Sequence, residues 1–267
     1  MAESSLSSEV NATTVLPAPS FPKLNAYDPL GAYPIDSTSN GALDDTSGNE
    51  YDGTADSSAT ITNGWAQFDG SSDDDFEIPS AANPDWWNGE NLTYGVLFRT
   101  TGAGVIYGSS GGGYTASISI SNDGYIGISL HWHGDTAFTK SPSGGYNDGE
   151  PHTIIGTFAD GTETLYIDGE QVAQRTGLSQ VDYGGGSYTY TLGGDPEGVW
   201  SGLSGGIPQE YTGEVGAFYS YQGAVTSSQT TVLDTVLRNE QAVYINDGDV
   251  ELRWSNTDDS ADGGVDI

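Results

Sequence analysis

Apolar and polar residues alternate along much of the chain from about residue 60 onward. In residues 93–99, Tyr94, Val96 and Phe98 fall on one side of an extended strand, and residues 116–121 alternate strictly. A period of two is typical of a β-strand with one buried face. The pattern therefore predicts half-buried strands in both segments.

Turn residues join such strands into hairpins. Asn-Asp-Gly at 122–124 leads into the alternating segment 125–133, and Asp168-Gly169 divides the alternating segment 164–173. Both sequences are typical of tight hairpin turns. Further strands are predicted at 152–158, 188–192 and 211–219.

One segment has helical spacing. Residues 226–229 form a capping box, and four apolar residues then recur every three to four positions. They are Val232, Leu233, Val236 and Leu237. We expect this short helix to plug one edge of an all-β, two-sheet antiparallel sandwich, because closely spaced strands with glycine-rich turns favour that class.

The chain divides into three predicted segments. Residues 1–30 lack periodicity, and the proline-rich stretch 15–22 favours an extended arm. We expect this arm to dock on a neighbouring subunit or a larger assembly. The sandwich domain is predicted at 31–240, and an acidic C-terminal extension at 241–267.

The net charge of the chain limits the classes of partner that it can bind. The chain of 267 residues has 38 Asp and Glu against 6 Lys and Arg, a formal net charge of −32. This excludes nucleic acid and anionic membranes, which need a cationic face. No apolar run is long enough to span a membrane, and the first nine residues do not resemble a signal peptide. We expect neutral, glycan-like or protein partners, and no cysteine chemistry, since the chain has no Cys.

The same charge predicts adaptation to brine. Carboxylate repulsion destabilises a compact chain in dilute buffer, whereas at molar salt the Debye length falls to about 3 Å. The composition resembles that of salt-in halophiles, especially haloarchaea and their viruses. The alternative is an acidic mesophilic surface.

Several motifs occur in the order typical of one family. They are residues 32–36, Asp-x-Ser-Gly-Asn at 45–49, 52–54, 65–71, 76–79, 93–99, Tyr-Ile-Asp-Gly-Glu at 166–170, 192–194 and 211–219. In this order they resemble the laminin-G-like, concanavalin A-like jelly-roll family across roughly residues 31–240. The resemblance implies a jelly roll, a fold that serves lectins, enzyme appendages, adhesion domains and viral surface modules.

No catalytic arrangement is evident, and we expect no enzymatic activity. Glycosidases of this fold carry Glu-x-Asp-x-x-Glu on one strand, which the chain lacks. Asp247, Asp249 and Glu251 alternate, but a solvated strand face explains them. His131 and His133 can chelate a metal, although a polar outer strand face is the simpler interpretation.

Calcium is the expected metal. Hard cations need several oxygen ligands, and the family often holds a structural calcium at a sandwich edge. One turn-rich loop supplies such oxygens from Asp44, Asp45, Asn49 and Asp52, with Ser47 beside them.

Loop aromatics are candidates for stacking on sugar rings, with an amide to bond hydroxyls. The candidate glycan-binding residues are Trp86, Trp87, Asn88, Tyr114, Tyr146 and Trp200. Asn11 and Asn91 lie in glycosylation sequons, but the missing export signal argues against their modification.

Together these features predict a non-catalytic surface protein. Our preferred interpretation is a virion component of a haloarchaeal virus, as capsid decoration, turret or tail fibre, that contacts host glycans. It is expected to form homo-oligomers and to bind other virion proteins through the arm, on the virion surface. The alternatives are a free, extracellular carbohydrate-binding module and, ranked last, a glycosidase.

Overall fold

The computed structural model forms a two-sheet antiparallel jelly roll, which confirms the predicted fold class. The structure describes residues 29–35, 42–84, 91–110, 116–130, 138–178, 189–194, 203–242, 245–246 and 249–250. Within these ranges there is one α-helix, α1 (Ser227–Ala242), and one 3-10 turn, Ser80–Ala82. No helix in the described ranges is long and apolar enough to cross a membrane.

The chain passes repeatedly from one sheet to the other between β1 and β16. They are β1 Gly31–Pro34, β2 Ala42–Leu43, β3 Gly53–Ala55, β4 Thr60–Thr62, β5 Trp65–Asp69, β6 Phe76–Ile78, β7 Leu92–Arg99, β8 Gly104–Ser110, β9 Ser117–Ile120, β10 Ile126–Ser129, β11 Thr139–Lys140, β12 His152–Ala159, β13 Thr162–Ile167, β14 Glu170–Arg175, β15 Thr189–Leu192, β16 Thr212–Gln222, β17 Ile245–Asn246 and β18 Asp249–Val250.

Sheet A has the order β14-β13-β12-β7-β16-β5-β4, with β1 also paired to β16, and sheet B has the order β11-β10-β9-β8-β15-β6-β3-β2. Strands β17 and β18 pair with each other. Because β5 lies in sheet A and β6 in sheet B, the turn between them, residues 70–75, crosses from one sheet to the other.

The core lies between the sheets, on the faces that the alternation predicts. Tyr94, Val96 and Phe98 point inward from β7 and are fully buried. Aromatic rings fill the middle: the Tyr107 ring lies 4.8 Å from those of Tyr94 and Phe218. The Tyr107 hydroxyl donates to Asn83 Oδ1 at 2.7 Å, so this buried polar group is satisfied.

Both predicted hairpins form. The Asp168-Gly169 turn joins β13 to β14 with positive φ at both residues, 53° and 77°, which matches the twist of the strands. Residues 121–125 join β9 to β10, and Ile126, Ile128 and Leu130 share the inner face as predicted.

The strands predicted to be half-buried are buried on both faces, which corrects the sequence interpretation. In β9 the outward residues Ser117 and Ser119 are 1% and 0% exposed. Part of the outer face of sheet B is covered by the segment 203–207, where Leu203 packs over Gly127 of β10. Such cover comes from distant parts of the chain, so a local period of two does not reveal it.

Helix α1 also lies elsewhere than predicted: it covers the outer face of sheet A and does not plug an edge. Its buried residues Leu233 and Leu237 pack with Leu97 and Ile155. A Cβ built on Gly95 of β7 would lie 3.3 Å from Leu237 Cδ1, so this glycine lets the helix approach. The physical reason is the apolar outer row of β7, β12 and β16, which needs a cover.

The helix begins at the predicted capping box. The Thr226 N–H donates to Gln229 Oε1 at 2.8 Å, which satisfies one of the free N–H groups near a helix start. The helix runs to Ala242, two residues past the predicted end of the domain. Residues 1–28 and 251–267, which contain most of the predicted arm and extension, lie outside the described ranges.

Candidate functional site

The structure describes five of the ten predicted site residues. Tyr146 and the four acidic-loop residues Asp44, Asp45, Asn49 and Asp52 lie in it. Outside the described ranges lie Trp86, Trp87, Asn88, Tyr114 and Trp200, together with His131, His133, Asn11, Asp247 and Glu251.

The acidic loop is organised around the Asp45 carboxylate. The N–H groups of Ala32 and Ser47 donate to Asp45 Oδ1, both at 2.9 Å. The Ser47 hydroxyl and the Tyr51 N–H donate to Oδ2 at 2.7 and 3.0 Å. The Asp-x-Ser-Gly-Asn motif therefore fastens this turn to β1.

The remaining loop residues take part in the same hydrogen-bond network. Asp52 Oδ1 accepts from the Asp45 N–H at 3.0 Å, while Asn49 Nδ2 donates to the Leu30 carbonyl, also at 3.0 Å. Asp44 is exposed. Within the described ranges, no three His, Asp or Glu side chains are grouped in a way that could hold a metal.

Hydrogen bonding dominates the electrostatics of Asp45. Burial alone would raise the pKa of this carboxyl, but the donors at Ala32, Ser47 and Tyr51 outweigh burial and lower the pKa below its usual value. Since four donors already fill the carboxylate, a calcium ion would have to displace some of them. As it stands, this donor set does not fit the ion, and the calcium site stays a prediction.

Tyr146 lies at a second location, where aromatic and charged side chains meet. It is half-buried in the loop between β11 and β12, where its ring stands edge-on to the His152 ring at 5.3 Å and 88°. His152 is the first residue of β12, and its other aromatic neighbour is Phe98, at 6.0 Å. The loop is thereby held to the end of sheet A.

Charged groups surround His152 on two sides. Its Nδ1 lies 2.8 Å from Asp168 Oδ2, and its Nε2 lies 3.3 Å from Asp148 Oδ1. Asp168 belongs to the β13–β14 turn, and Asp148 to the loop that carries Tyr146. We call Tyr146, Asp148, His152 and Asp168, together with Arg238, the Tyr146 patch.

Arg238 brings helix α1 into the patch. Its Nη2 donates to Asp168 Oδ1 at 2.6 Å, and its Nε to Asp234 Oδ1 at 3.1 Å. The Thr153 N–H also donates to Asp168 Oδ1, at 3.0 Å. One carboxylate therefore ties together a turn, a strand and the helix.

These contacts set the charge states in the patch. The hydrogen bond to Asp168 raises the pKa of His152, against the opposing effect of burial. Burial alone would raise the pKa of Asp168, but its bonds to His152 and Thr153 and the Arg238 charge lower it. Burial and the nearby Asp168 charge raise the pKa of Tyr146, which therefore remains a neutral phenol.

The Tyr146 patch combines an aromatic ring with charged hydrogen-bonding groups that are partly open to solvent. The side chains of Asp148, Asp168 and Arg238 are 49%, 36% and 31% exposed. Such groups can bond hydroxyls while an aromatic face stacks on an apolar ring surface.

The sequence analysis names Tyr146 as a candidate but not the charged residues around it. A usable signal is the scarcity of cations: the chain has 6 Lys and Arg against 38 Asp and Glu. Because Coulomb attraction favours carboxylates near a cation, each arginine marks a place where acidic side chains can gather. Arg99 illustrates the same rule at another place, since it pairs with Glu214 and lies over the Trp65 ring.

Comparison with known proteins supports the fold through structure alone. No family profile and no curated relative matches the sequence. Similar solved structures include Trypanosoma rangeli sialidase, with TM-score 0.56, 15% identity, and coverage of 80% of this chain and 33% of the sialidase. The binding domain of Paraclostridial Mosquitocidal Protein 1 gives TM-score 0.58, 14% identity, and coverage of 79% and 53%.

Domain 4 of AbnA, an arabinanase of Geobacillus stearothermophilus solved with arabinotriose, gives TM-score 0.55, 18% identity, and coverage of 78% of this chain and 98% of the domain. The chain has the fold of these β-sandwiches. It spans about a third of the sialidase and half of the toxin domain, but nearly all of the arabinanase domain. At these identities the likeness establishes architecture.

Proposed function

We propose that the chain is a non-catalytic, glycan-binding jelly-roll protein on the surface of a haloarchaeal virus particle, as capsid decoration, turret or tail fibre. The observation that carries the binding role is the Tyr146 patch, where a half-buried ring adjoins partly exposed charged groups. The arabinanase domain was solved with arabinotriose, and the mosquitocidal toxin domain is a binding domain. Both support a binding role for this fold.

Neutral glycans are the ligands that best suit the chain's charge. Anionic glycans need cationic side chains to bind them, and the chain has 6 Lys and Arg against 38 Asp and Glu. Within the patch, Asp148 and Asp168 can accept hydrogen bonds from hydroxyls, and Arg238 can donate to ring or hydroxyl oxygens.

The binding role is tested with a glycan array in molar KCl that includes arabino-oligosaccharides. We expect Tyr146→Ala to weaken binding by about tenfold or more, because it removes the stacking surface. Tyr146→Phe keeps the ring and is the matched control, which should retain most of the affinity. Asp148→Asn keeps the size of the side chain but removes the charge that lies 3.3 Å from His152 Nε2, and it reports the polar contribution.

Circular dichroism checks that each variant is folded. Equal binding by the parent and Tyr146→Ala would contradict the site, and the absence of binding to every glycan would contradict the function.

The acidic composition suits a protein that works in brine, and the placement on a virion is our inference from that context. The second candidate, a free carbohydrate-binding module, is favoured by the near-complete coverage of the arabinanase domain. Size-exclusion chromatography with light scattering in molar KCl separates the two. We expect a closed homo-oligomer, and deletion of residues 1–28 should shift it toward monomer; a monomeric full-length chain would favour the free module.

A further inference from the structure

A pair of carboxylates meets where the two sheets join, away from the Tyr146 patch. Asp75 immediately precedes β6 of sheet B, and Glu210 lies two residues before β16 of sheet A. Both face Gly194, which follows β15 and forms a β-bridge with Glu210. A Cβ built on Gly194 would touch Glu210 Oε2 and would lie 2.8 Å from Asp75 Oδ2. The two acids therefore lie side by side against this glycine.

One oxygen of the half-buried Asp75 carboxyl has no hydrogen-bond donor. Its Oδ1 is buried and has no hydrogen-bond partner, and this atom would lie 2.6 Å from a Cβ built on Gly193. The charges that bear on Asp75 come from three acids on three segments: Glu210, Asp74 in its own turn, and Asp56 after β3. Burial, and then these like charges, raise the pKa of Asp75 to about 7.

Another acid in the turn between β5 and β6, Asp74, lies against Asp69 at the end of β5. Asp74 is 3% exposed, and its Oδ2 accepts from the Asp69 N–H at 2.6 Å. Burial also raises the pKa of Asp74. In contrast, hydrogen bonds from Ser71 and Ser58 lower the pKa of Asp73, which is fully exposed. Within one turn, the pKa is therefore raised at the buried Asp74 and the half-buried Asp75 and lowered at the exposed Asp73.

We propose that Asp75 and Glu210 share one proton and form a pH-sensitive latch between the two sheets. With the proton in place, one carboxyl donates a hydrogen bond to the other and joins sheet B to sheet A. When the proton leaves, two like charges face each other at Gly194 and push this end of the sandwich apart. The latch does not depend on the glycan-binding role.

The direction of the pH effect follows from the raised pKa. The folded chain holds the proton more tightly than the unfolded chain, so the stabilisation is fully present below the ordinary pKa of an aspartate. It is lost as the pH rises through about 7. Salt screens a buried pair less than exposed charges, and the effect therefore persists in molar KCl.

The test is thermal unfolding in molar KCl at several pH values from about 5 to about 9. We expect the melting temperature of the parent chain to fall by several degrees across this range. Asp75→Asn should melt higher than the parent at the alkaline end and show a flatter profile. Asp73→Asn, in the same turn, is the matched control and should keep the parent's profile. Asp74 is present in all three chains, and the Asp73 charge is the smallest of the causes that act on the pKa of Asp74.

A direct readout is the infrared band of a protonated carboxyl group. At about pH 6 we expect this band to be weaker in Asp75→Asn and in Glu210→Gln than in the parent, which keeps the test informative if either variant is less stable. Equal pH profiles for the parent and Asp75→Asn would overturn the latch. So would a rise in the parent's melting temperature on adding CaCl₂ at about pH 8 that Asp75→Asn abolishes, since a metal would then join the two acids.

Discussion

Two acidic turns of this chain place a partly buried aspartate in opposite surroundings. Asp45 accepts four hydrogen bonds from N–H and O–H donors, and its pKa is lowered despite burial. Asp75 has a buried oxygen without a partner and faces Glu210, and its pKa is raised to about 7. Both turns are rich in Asp. The number of nearby donors, and not the number of acids, decides whether a buried carboxylate stabilises the fold as an anion.

The largest effect is expected at Asp45. Replacing it with Ala leaves the N–H groups of Ala32, Ser47 and Tyr51 without their acceptor and should lower the free energy of unfolding by about 2–4 kcal/mol. Urea denaturation in molar KCl measures this. Asp44→Ala, at the exposed neighbouring position, should change stability by at most about 0.5 kcal/mol. Similar losses for the two variants would remove the contrast between the turns.

The second-largest effect is expected in the pH dependence of stability, which should have opposite signs for Asp45 and Asp75. Asp45 has a lowered pKa, so its stabilisation is present above the ordinary pKa of an aspartate and is lost as the pH falls through the folded-state value. The deficit of Asp45→Ala should therefore shrink in acid, whereas the gain of Asp75→Asn should appear toward alkaline pH. Urea denaturation at about pH 3 and about pH 6 checks the acid side, where a constant deficit would contradict the assignment.

The smallest effect is expected from a calcium chelator. Because donors already fill the Asp45 carboxylate, adding EDTA at constant ionic strength should move the melting temperature by no more than about 1 °C. Differential scanning fluorimetry with and without EDTA measures this melting temperature for the chain as purified, and Asp45→Ala is measured in the same way as the control. A larger drop in the parent alone would establish the calcium site that the sequence predicts and show that the loop rearranges around the ion.

The inner faces of the sandwich were predictable because their signal is local. Alternation assigns Tyr94, Val96 and Phe98 to one face, and Asp168-Gly169 specifies its own turn through two positive φ values. The outer faces were not predictable in this way. Leu237 packs against Gly95 across more than a hundred residues of sequence. The hydrophobic periodicity of neither segment indicates that contact.

The candidate site divides along the same line. Tyr146 was identifiable as a loop aromatic, but its neighbours His152, Asp168 and Arg238 come from a strand, a turn and a helix that only the tertiary fold brings together. The pair of Asp75 and Glu210 was hidden for the same reason: in a chain with 38 acids, sequence does not show which two will face each other.

The position of β16 in sheet A has a consequence for biosynthesis. This strand runs between β7 and β5 and also pairs with β1, where Gly31 lies opposite Ser220. During synthesis β1 therefore cannot pair with β16 until late in translation. Sheet A is complete only after residue 222 has left the ribosome. Pairing over such separations is slow. A nascent chain that stalls before this strand also lacks α1, which follows it, so Leu97 and Ile155 are left uncovered and exposed to aggregation or to a chaperone.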